Sequence, residues 1–357
     1  MFELRKRVHF VHLSSRPGGI EVLLPVIINA MPEWDFNAFV VRKPIPGEPN
    51  VYDHQNISVD YGSKNNLKAV LKVFSYALKN RKDIFHVFNL GPVFLFFLRV
   101  AGVKKLIYSI HGTIYWKTNF KKIVIKFFWL IALSKKYKIT SNSEYSRKVF
   151  HEKINQKSLI HVLYNPVDSR KFILVPDVKS TGILKIIYSG RLCNGKNLET
   201  WIDIADQIHK LLPESVFEIY GWGPLRKSLE SKIEEIKAGN FIFLKGFRQD
   251  IENVYRDADL LLFLSEYESF GNVVVESILC GTPALVTNIP SMREIFRDFP
   301  EFILDSNEGL FKAIYTNLLN INVLKERALL ARRSFIHRFS TEVHIENLNK
   351  LYLSFSD

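Results

Sequence analysis

The chain of 357 residues is poor in cysteine, with only Cys193 and Cys280. Two thiols cannot form a disulfide framework, so a disulfide-stapled secreted scaffold is excluded and a reducing compartment suits the chain. It has no run of roughly 18 or more apolar residues, which a membrane-spanning helix would need. Arg5, Lys6 and Arg7 are followed by only a short apolar stretch before Ser14 and Ser15, which does not read as a secretory signal. The expected location is the cytoplasm. Between Ile84 and Ser143 there is no acidic residue at all, although Arg99 and nine lysines lie there. There is no short-period repeat.

Positive charge is unevenly placed. Residues 1–175 hold 28 basic and 11 acidic residues, a net +17, and residues 176–357 hold 21 and 25, a net −4. A sequence-specific nucleic-acid binder would interleave arginines with aromatics in a recognised module. Here the basic residues are mainly lysines and no such module is present, so no specific nucleic-acid partner is expected. Lys117, Lys121, Lys122 and Lys126 alternate with Phe120, Ile123 and Phe127 on opposite arcs of a helix. A basic amphipathic helix with aromatic residues suits an anionic membrane interface, whereas the plainer reading is a partly buried helix with solvated lysines. The expected membrane contact is the basic 84–143 region, on the inner face of the cell membrane.

Short apolar runs alternate with longer helical patterns. Val8–Leu13, Phe85–Phe88, Lys105–Ile110 and Tyr137–Thr140 read as strands, with a helix from about Ile20. A second series follows, with strands at Lys185–Ser189, Val216–Tyr220, Phe241–Leu244, Leu260–Phe263 and Ala284–Val286, and helices at Asn197–Leu211 and Leu225–Ile236. This βαβ alternation predicts α/β architecture with parallel sheets, and the length accommodates two Rossmann-like doubly wound domains. The polar stretch at 176–182 reads as the linker. The expected domains are 1–170, with a C-terminal helix at about 341–357 packing back on the first domain, and 171–340. Ligands of such folds bind beyond the carboxyl ends of the strands.

The most informative stretch runs from Ser265 to Glu276, Ser-Glu-Tyr-Glu-Ser-Phe-Gly-Asn-Val-Val-Val-Glu. It leaves the strand Leu260–Phe263 and enters a helix. Glu268 falls in the loop and Glu276 inside the helix, eight positions apart. Gly271 permits close backbone approach to a ligand, and the amides of Asn272 and Val273 open a helix, a ready site for a diphosphate. Upstream, Ser189-Gly190-Arg191-Leu192 is followed by Lys196-Asn197 directly after a strand. Two fixed cations there suit an anionic ligand. Tyr220-Gly221-Trp222-Gly223-Pro224 and Lys245-Gly246-Phe247 follow the next two strands. Gly18-Gly19 follows the first strand, and His111-Gly112 follows Lys105–Ile110. Asp257-Ala258-Asp259 has the spacing of a metal motif, but it reads as the end of a helix entering a strand.

Taken together these blocks resemble the GT-B fold glycosyltransferases, specifically retaining family 4, over about Val8 to Tyr352. Glu268 and Glu276 match the family's E-x7-E signature. The resemblance implies that Arg191 and Lys196 reach the donor diphosphate, Glu276 binds ribose and Glu268 orients the transferred sugar. It implies that Gly18 and Gly19 lie near phosphate and acceptor, and that His111 lines the reacting centre. Gly190, Gly221, Gly223, Phe247, Phe270, Gly271, Asn272 and Val273 would complete the donor site. The donor is a UDP-, GDP- or ADP-sugar, bound in a cleft between facing domains, and no obligatory metal or other cofactor is expected. The expected activity is retaining hexosyl or N-acetylhexosaminyl transfer to a saccharide or lipid-linked acceptor in surface polysaccharide assembly. A nucleotide-sugar epimerase, an inverting transferase and a non-catalytic sugar-nucleotide-binding subunit remain open on the same scaffold.

Overall fold

The computed structural model describes the chain apart from residues 1–5, 17, 45–49, 54, 113–118, 134–135, 155–158, 176–181, 305–308 and 356–357, and residues 119–124 by backbone alone. Most of the expected linker and Lys117 therefore lie outside the described residues, as do the side chains of Phe120, Lys121, Lys122 and Ile123. The chain divides into two units, one of residues 1–166 with 341–357 and one of residues 167–340.

Among the described residues the first unit holds seven parallel strands. They are β1 (Arg7–His12), β2 (Asp35–Val40), β3 (Ser58–Tyr61), β4 (Ile84–Phe88), β5 (Leu106–Ile110), β6 (Lys138–Ser141) and β7 (Ile160–Val162), in the order β3-β2-β1-β4-β5-β6-β7. The crossovers carry α1 (Leu23–Ala30), α2 (Asn66–Asn80), α3 (Pro92–Val100), α4 (Asn119–Ala132) and α5 (Glu144–Ile154). All five residues of β4 are buried, as expected of a central strand covered on both faces. Their period of two sends Phe85 and Val87 into one apolar cluster and Ile84 and Phe88 into another. The α2 helix starts where Asn65 accepts a hydrogen bond from the amide of Lys68 at 3.1 Å, a side-chain N-cap.

The second unit holds β8 (Leu184–Ser189), β9 (Ser215–Tyr220), β10 (Ile242–Gly246), β11 (Leu260–Phe263), β12 (Ala284–Thr287) and β13 (Ile303–Leu304), parallel and ordered β10-β9-β8-β11-β12-β13. Its helices are α6 (Leu198–Leu211), α7 (Arg226–Glu235), α8 (Ile251–Asp257), α9 (Asn272–Leu279), α10 (Pro290–Ile295), α11 (Leu310–Leu319) and α12 (Ile321–Phe339). Along α6 the buried stripe is Leu198, Trp201, Ile202, Ala205 and Ile208, the spacing of a helix that turns one face to a sheet. Trp201 also donates its indole N–H to the Leu262 carbonyl at 3.0 Å, tying α6 to β11. The last helix, α13 (Thr341–Leu353), returns to the first unit. There Leu348 and Tyr352 join the cluster of Phe10 and Phe88.

The strand order reverses beside β8 in the second unit and beside β1 in the first. These are the topological switch points, where loops leaving the strands part and leave room for a ligand. The elements differ from the sequence reading in places. β1 begins and ends one residue earlier than expected, and α1 begins at Leu23 rather than about Ile20. β2, β3, β7 and β13 lie outside the strands read from the sequence; β3 is an edge strand with no buried residue, and β7 and β13 have only three and two residues, so none of these three offers a strong apolar pattern.

Candidate active site

The loops that leave β8, β9, β10 and β11 carry most of the sequence-predicted residues, all at the carboxyl end of one sheet. Their backbones are pressed together. The Gly190 amide donates to the Tyr220 carbonyl at 3.0 Å, Leu192 to Trp222 at 2.9 Å, and Gly221 to Gly246 at 2.9 Å. A Cβ on Gly221 would lie 1.8 Å from the Gly190 oxygen, and one on Gly223 would lie 2.1 Å from the Leu192 oxygen. Only glycine allows these approaches. The glycines of this floor are therefore fixed by packing against each other, a requirement separate from any contact with a ligand.

On the floor stand the charged groups. Lys196 Nζ forms an ion pair with Glu268 Oε1 and lies 5.5 Å from the centre of the Phe263 ring. Both side chains are mostly withdrawn from solvent, at 15% and 19% exposure. Buried Ser265 turns its hydroxyl toward the same Glu268 oxygen at 3.5 Å. The loop of Lys196 is clasped to the loop of Glu268. Glu266 donates its amide to the Gly195 carbonyl at 2.9 Å, and the Tyr267 ring closes over Gly195. Arg191 is exposed, with its guanidinium 5.1 Å from the Trp222 ring centre, a cation–π arrangement. Phe247, half exposed, closes the β10 end of the row.

The second half of the signature opens α9. Gly271 is the N-cap with φ of 111°, and it offers no side chain to the first turn. Asn272 and Val273 begin the helix, whose dipole and first-turn amides favour an anion. Phe270 turns its ring into the core against Phe339 at 5.4 Å, so its side chain packs and only its backbone faces the loop. One turn in, Glu276 accepts a hydrogen bond from the Tyr255 hydroxyl at 3.0 Å. Burial pushes its carboxyl up to about 7, although the Tyr255 bond and Lys171 oppose the shift. A carboxyl balanced between two protonation states near neutrality, beside a site loop, fits a group that exchanges a protein partner for ligand hydroxyls. Asp259 is committed elsewhere. It accepts the Lys185 amide at 2.8 Å and pairs with Lys325 at 2.5 Å. Among the described residues no three His, Cys, Asp or Glu are grouped to hold a metal.

In the first unit, His111 follows β5 at the carboxyl edge. Burial, then neighbouring His344, push its imidazole down to about 3, while a hydrogen bond with the Asn165 side chain opposes the shift. At neutral pH this ring is uncharged, so it offers one donor and one acceptor rather than a cation. Gly18 and Gly19 lie after β1, but a Cβ on Gly18 would crowd the movable Glu21 carboxylate and touch the Arg16 carbonyl at an ordinary 3.8 Å, and around Gly19 there is open space. The structure imposes no backbone need for glycine there, in contrast to Gly221 and Gly223.

Sequence reasoning had not assigned Tyr255, Asn165 or Tyr267 to the site. Tyr255 and Asn165 lie 21 and 54 positions from Glu276 and His111, and no local spacing marks them. The segment containing Asn165 reads from sequence as domain-closing structure, yet the fold sets its amide against His111. Trp222 was visible between its two glycines, but its pairing with Arg191 depends on the β8–β9 neighbourhood.

Two parallel sheets with these loops define a GT-B glycosyltransferase. The family models "Glycosyl transferases group 1" and "Glycosyltransferase Family 4" match residues 172–328 and 17–171. The chain belongs to the family 4 glycosyltransferases of the GT-B fold. It is 23% identical over 308 residues, 80% of this chain and 79% of the relative, to the UDP-Gal:alpha-D-GlcNAc-diphosphoundecaprenol alpha-1,3-galactosyltransferase of Escherichia coli. It is 28% identical over 218 residues, 58% of each chain, to the N-acetylgalactosamine-N,N'-diacetylbacillosaminyl-diphospho-undecaprenol 4-alpha-N-acetylgalactosaminyltransferase of Campylobacter jejuni. The crystal structure of Anabaena HepE in complex with UDP-glucose has the same fold, with a TM-score of 0.81, 20% identity, and coverage of 98% of this chain and 99% of that one. The protein is a hexosyltransferase-type enzyme.

Proposed function

We propose that the protein is a retaining transferase that moves a hexosyl or N-acetylhexosaminyl group from a UDP-sugar to a lipid-linked acceptor in surface polysaccharide assembly. The observation that carries the reading is the row of Arg191, Lys196, Glu268 and Glu276 along one sheet edge beside the start of α9. Four groups of these types suit the four parts of such a donor. Arg191 and Lys196 take the diphosphate, with the first amides of α9. Glu276 takes the ribose hydroxyls and Glu268 the hydroxyls of the sugar. UDP is favoured over GDP and ADP by the nucleotide named for HepE and for the E. coli relative, and a lipid-linked acceptor by the diphosphoundecaprenol names of both relatives.

Glu268 is paired with Lys196 and Glu276 accepts from Tyr255, arrangements that suit carboxylates engaged in binding rather than in attack. Front-face transfer fits. The bond from the anomeric carbon to the β-phosphate oxygen breaks while the bond from the acceptor oxygen forms on the same face, and the acceptor proton passes to the departing phosphate. Lys196 and Arg191 supply the positive charge that offsets the leaving group, so no obligatory metal is proposed. The second unit holds the donor and the first serves the acceptor, with His111 as a neutral hydrogen-bonding group.

A thermal-shift panel of UDP-, GDP- and ADP-sugars, with Glu276→Ala as control, tests the donor. At a hundredfold excess over Kd a true donor stabilises the native state by about 2.7 kcal/mol, about 5–10 °C for a unit of this size. A shift with a UDP-sugar in the wild type and none in the variant is expected. A GDP- or ADP-sugar acting alone would overturn the nucleotide, and an equal shift in the variant would remove Glu276 from the site.

We further propose that the first unit docks on the inner face of the cell membrane. α2 packs on α3 and α3 on α4. Together they expose Leu67, Leu71, Leu78, Val93, Val100, Phe127 and Leu130 among Lys68, Lys72, Lys79, Arg99 and Lys126. Apolar residues set among lysines fit an anionic interface. No helix among the described residues is long and apolar enough to cross a membrane. Cosedimentation should show binding to vesicles with 30% phosphatidylglycerol and little to pure phosphatidylcholine. The double variant Phe127→Ser, Leu130→Ser should lose most of that binding. Equal binding of both vesicle types, or an unaffected variant, would refute docking through this face.

A further inference from the structure

A second buried polar assembly lies at the carboxyl end of the first unit, and part of it arrives with the last helix. His344, in the first turn of α13, is buried, and its Nδ1 lies 2.7 Å from the Tyr164 carbonyl oxygen. A carbonyl only accepts, so Nδ1 carries the ring hydrogen and donates it, which leaves Nε2 with the lone pair. That Nε2 is buried without a hydrogen-bond partner among the described residues. A buried acceptor left unmade is costly unless something donates to it. The ring lines a small cavity with room for about one water molecule. His86, Ser109, His111 and Thr140 share its wall.

The other polar groups of that wall hold each other. Ser109 Oγ lies 2.6 Å from both His86 Nε2 and Thr140 Oγ1, and His86 Nδ1 lies 2.7 Å from the Tyr352 hydroxyl. The turn at 164–165 holds two rings at once, His344 through the Tyr164 carbonyl and His111 through the Asn165 side chain. Burial keeps His86, His111 and His344 neutral at pH 7, so His344 Nε2 keeps its lone pair as an acceptor.

We propose that His344 is a positioning residue for His111: a water in this cavity donates a hydrogen bond to His344 Nε2 and, with Asn165, fixes the plane of the His111 ring at the end of β5. The inference rests on the reading of His111 as a group of the reacting centre. It gives the returning C-terminal helix a part in transfer beyond the apolar packing of Leu348 and Tyr352.

Two variants separate positioning from docking. His344→Asn places an amide N–H where Nδ1 stands, so the bond to the Tyr164 carbonyl survives, but nothing reaches the Nε2 position. His344→Gln puts a polar atom at the Nε2 position and gives up the Tyr164 bond. With the UDP-sugar that stabilises the protein as substrate, and UDP release as readout, His344→Asn should lower kcat about tenfold with donor KM unchanged, the scale of a small misplacement near the reacting groups. His344→Gln should melt earlier yet keep most of the rate. A kcat for His344→Asn within twofold of wild type overturns the proposal. His111→Ala separates the two readings. If it keeps full rate, the role of His111 fails and this inference with it; if it loses rate while His344→Asn does not, only the positioning role is lost. Should His344→Asn not fold, imidazole nitrogen spectra of the wild-type protein decide. An Nδ1–H tautomer at His344 is expected, and an Nε2–H tautomer or an imidazolium at pH 7 overturns the water bridge.

Discussion

Lys196→Ala should lower kcat by about a thousandfold, the upper range for removing one preorganised group that stabilises developing charge. Its ammonium is held by Glu268 and Phe263 at the end of the sheet that opens toward α9. The diphosphate gains charge as the sugar leaves, so the contact is worth more in the transition state than in the ground state, and the loss should fall on kcat more than on donor KM. The stability effect needs separate treatment. Removing Lys196 leaves Glu268 four-fifths buried without its cation, a cost of about 1–3 kcal/mol that reflects the orphaned carboxylate rather than the strength of the pair.

The double variant Lys196→Ala, Glu268→Gln resolves this. It removes both charges, so the melting temperature should recover toward wild type. Turnover should not recover, because the cation for the leaving group and the acceptor for the sugar hydroxyls are both gone. The three variants should show similar, non-additive losses, as residues acting as a unit do. Glu268→Gln alone should keep donor affinity and lose transfer. A double variant that regained turnover would mean that the pair is only a surface ion pair of the β8 and β11 loops, and full rate in Glu268→Gln would remove Glu268 from sugar orientation.

The legible part of this site was the part encoded locally. Glu268, Gly271 and Glu276 fall within nine residues, on a strand, loop and helix that the apolar run Leu260–Phe263 announces. Arg191 and Lys196 lie five apart after another such run. The fold places all of them on one edge because consecutive βα units of a parallel sheet point their loops the same way. What could not be read was which distant residues meet. Tyr255 bonds Glu276 because α8 packs beside α9, and Asn165 meets His111 because β7 follows β6 at the sheet edge. Strands escape a reading of the sequence where no residue is fully buried, as at Ser58–Tyr61, or where the run is short, as at Ile160–Val162. Gly18-Gly19 shows the converse, a motif that sequence marks and for which the backbone shows no steric demand. Charge was legible as composition, but the exposed apolar side chains of α2, α3 and α4 appear only once their inner faces are packed.

Acidification should unfold the first unit before the second. His12 and His344 are buried and pushed down by burial to about 4, and His111 to about 3. His9 and His86 are lowered by burial too. Each ring titrates near 6.5 once the chain unfolds, so between that value and its folded value the unfolded state binds more protons. Stability is complete above about pH 6.5 and falls as the pH drops toward the folded values. At pH 4 each of His12, His344 and His111 contributes a loss of about 3 kcal/mol, and three such losses rival the whole stability of a domain. In the second unit Glu276 carries the opposite dependence. Glu276 has a folded value raised to about 7, so its contribution is full below the unfolded value near 4.5 and is lost as the pH rises through about 7. Hydrogen exchange resolved by peptide, between pH 7 and 4, distinguishes the two. Protection in β1, β4 and β5 should collapse between pH 5 and 4 while β8, β9 and β11 remain protected. His12→Asn and His344→Asn, which remove a titrating ring and keep a polar atom, should each move the collapse to lower pH. Simultaneous loss in both sheets, or earlier loss in the second, would show that the buried histidines do not govern acid stability.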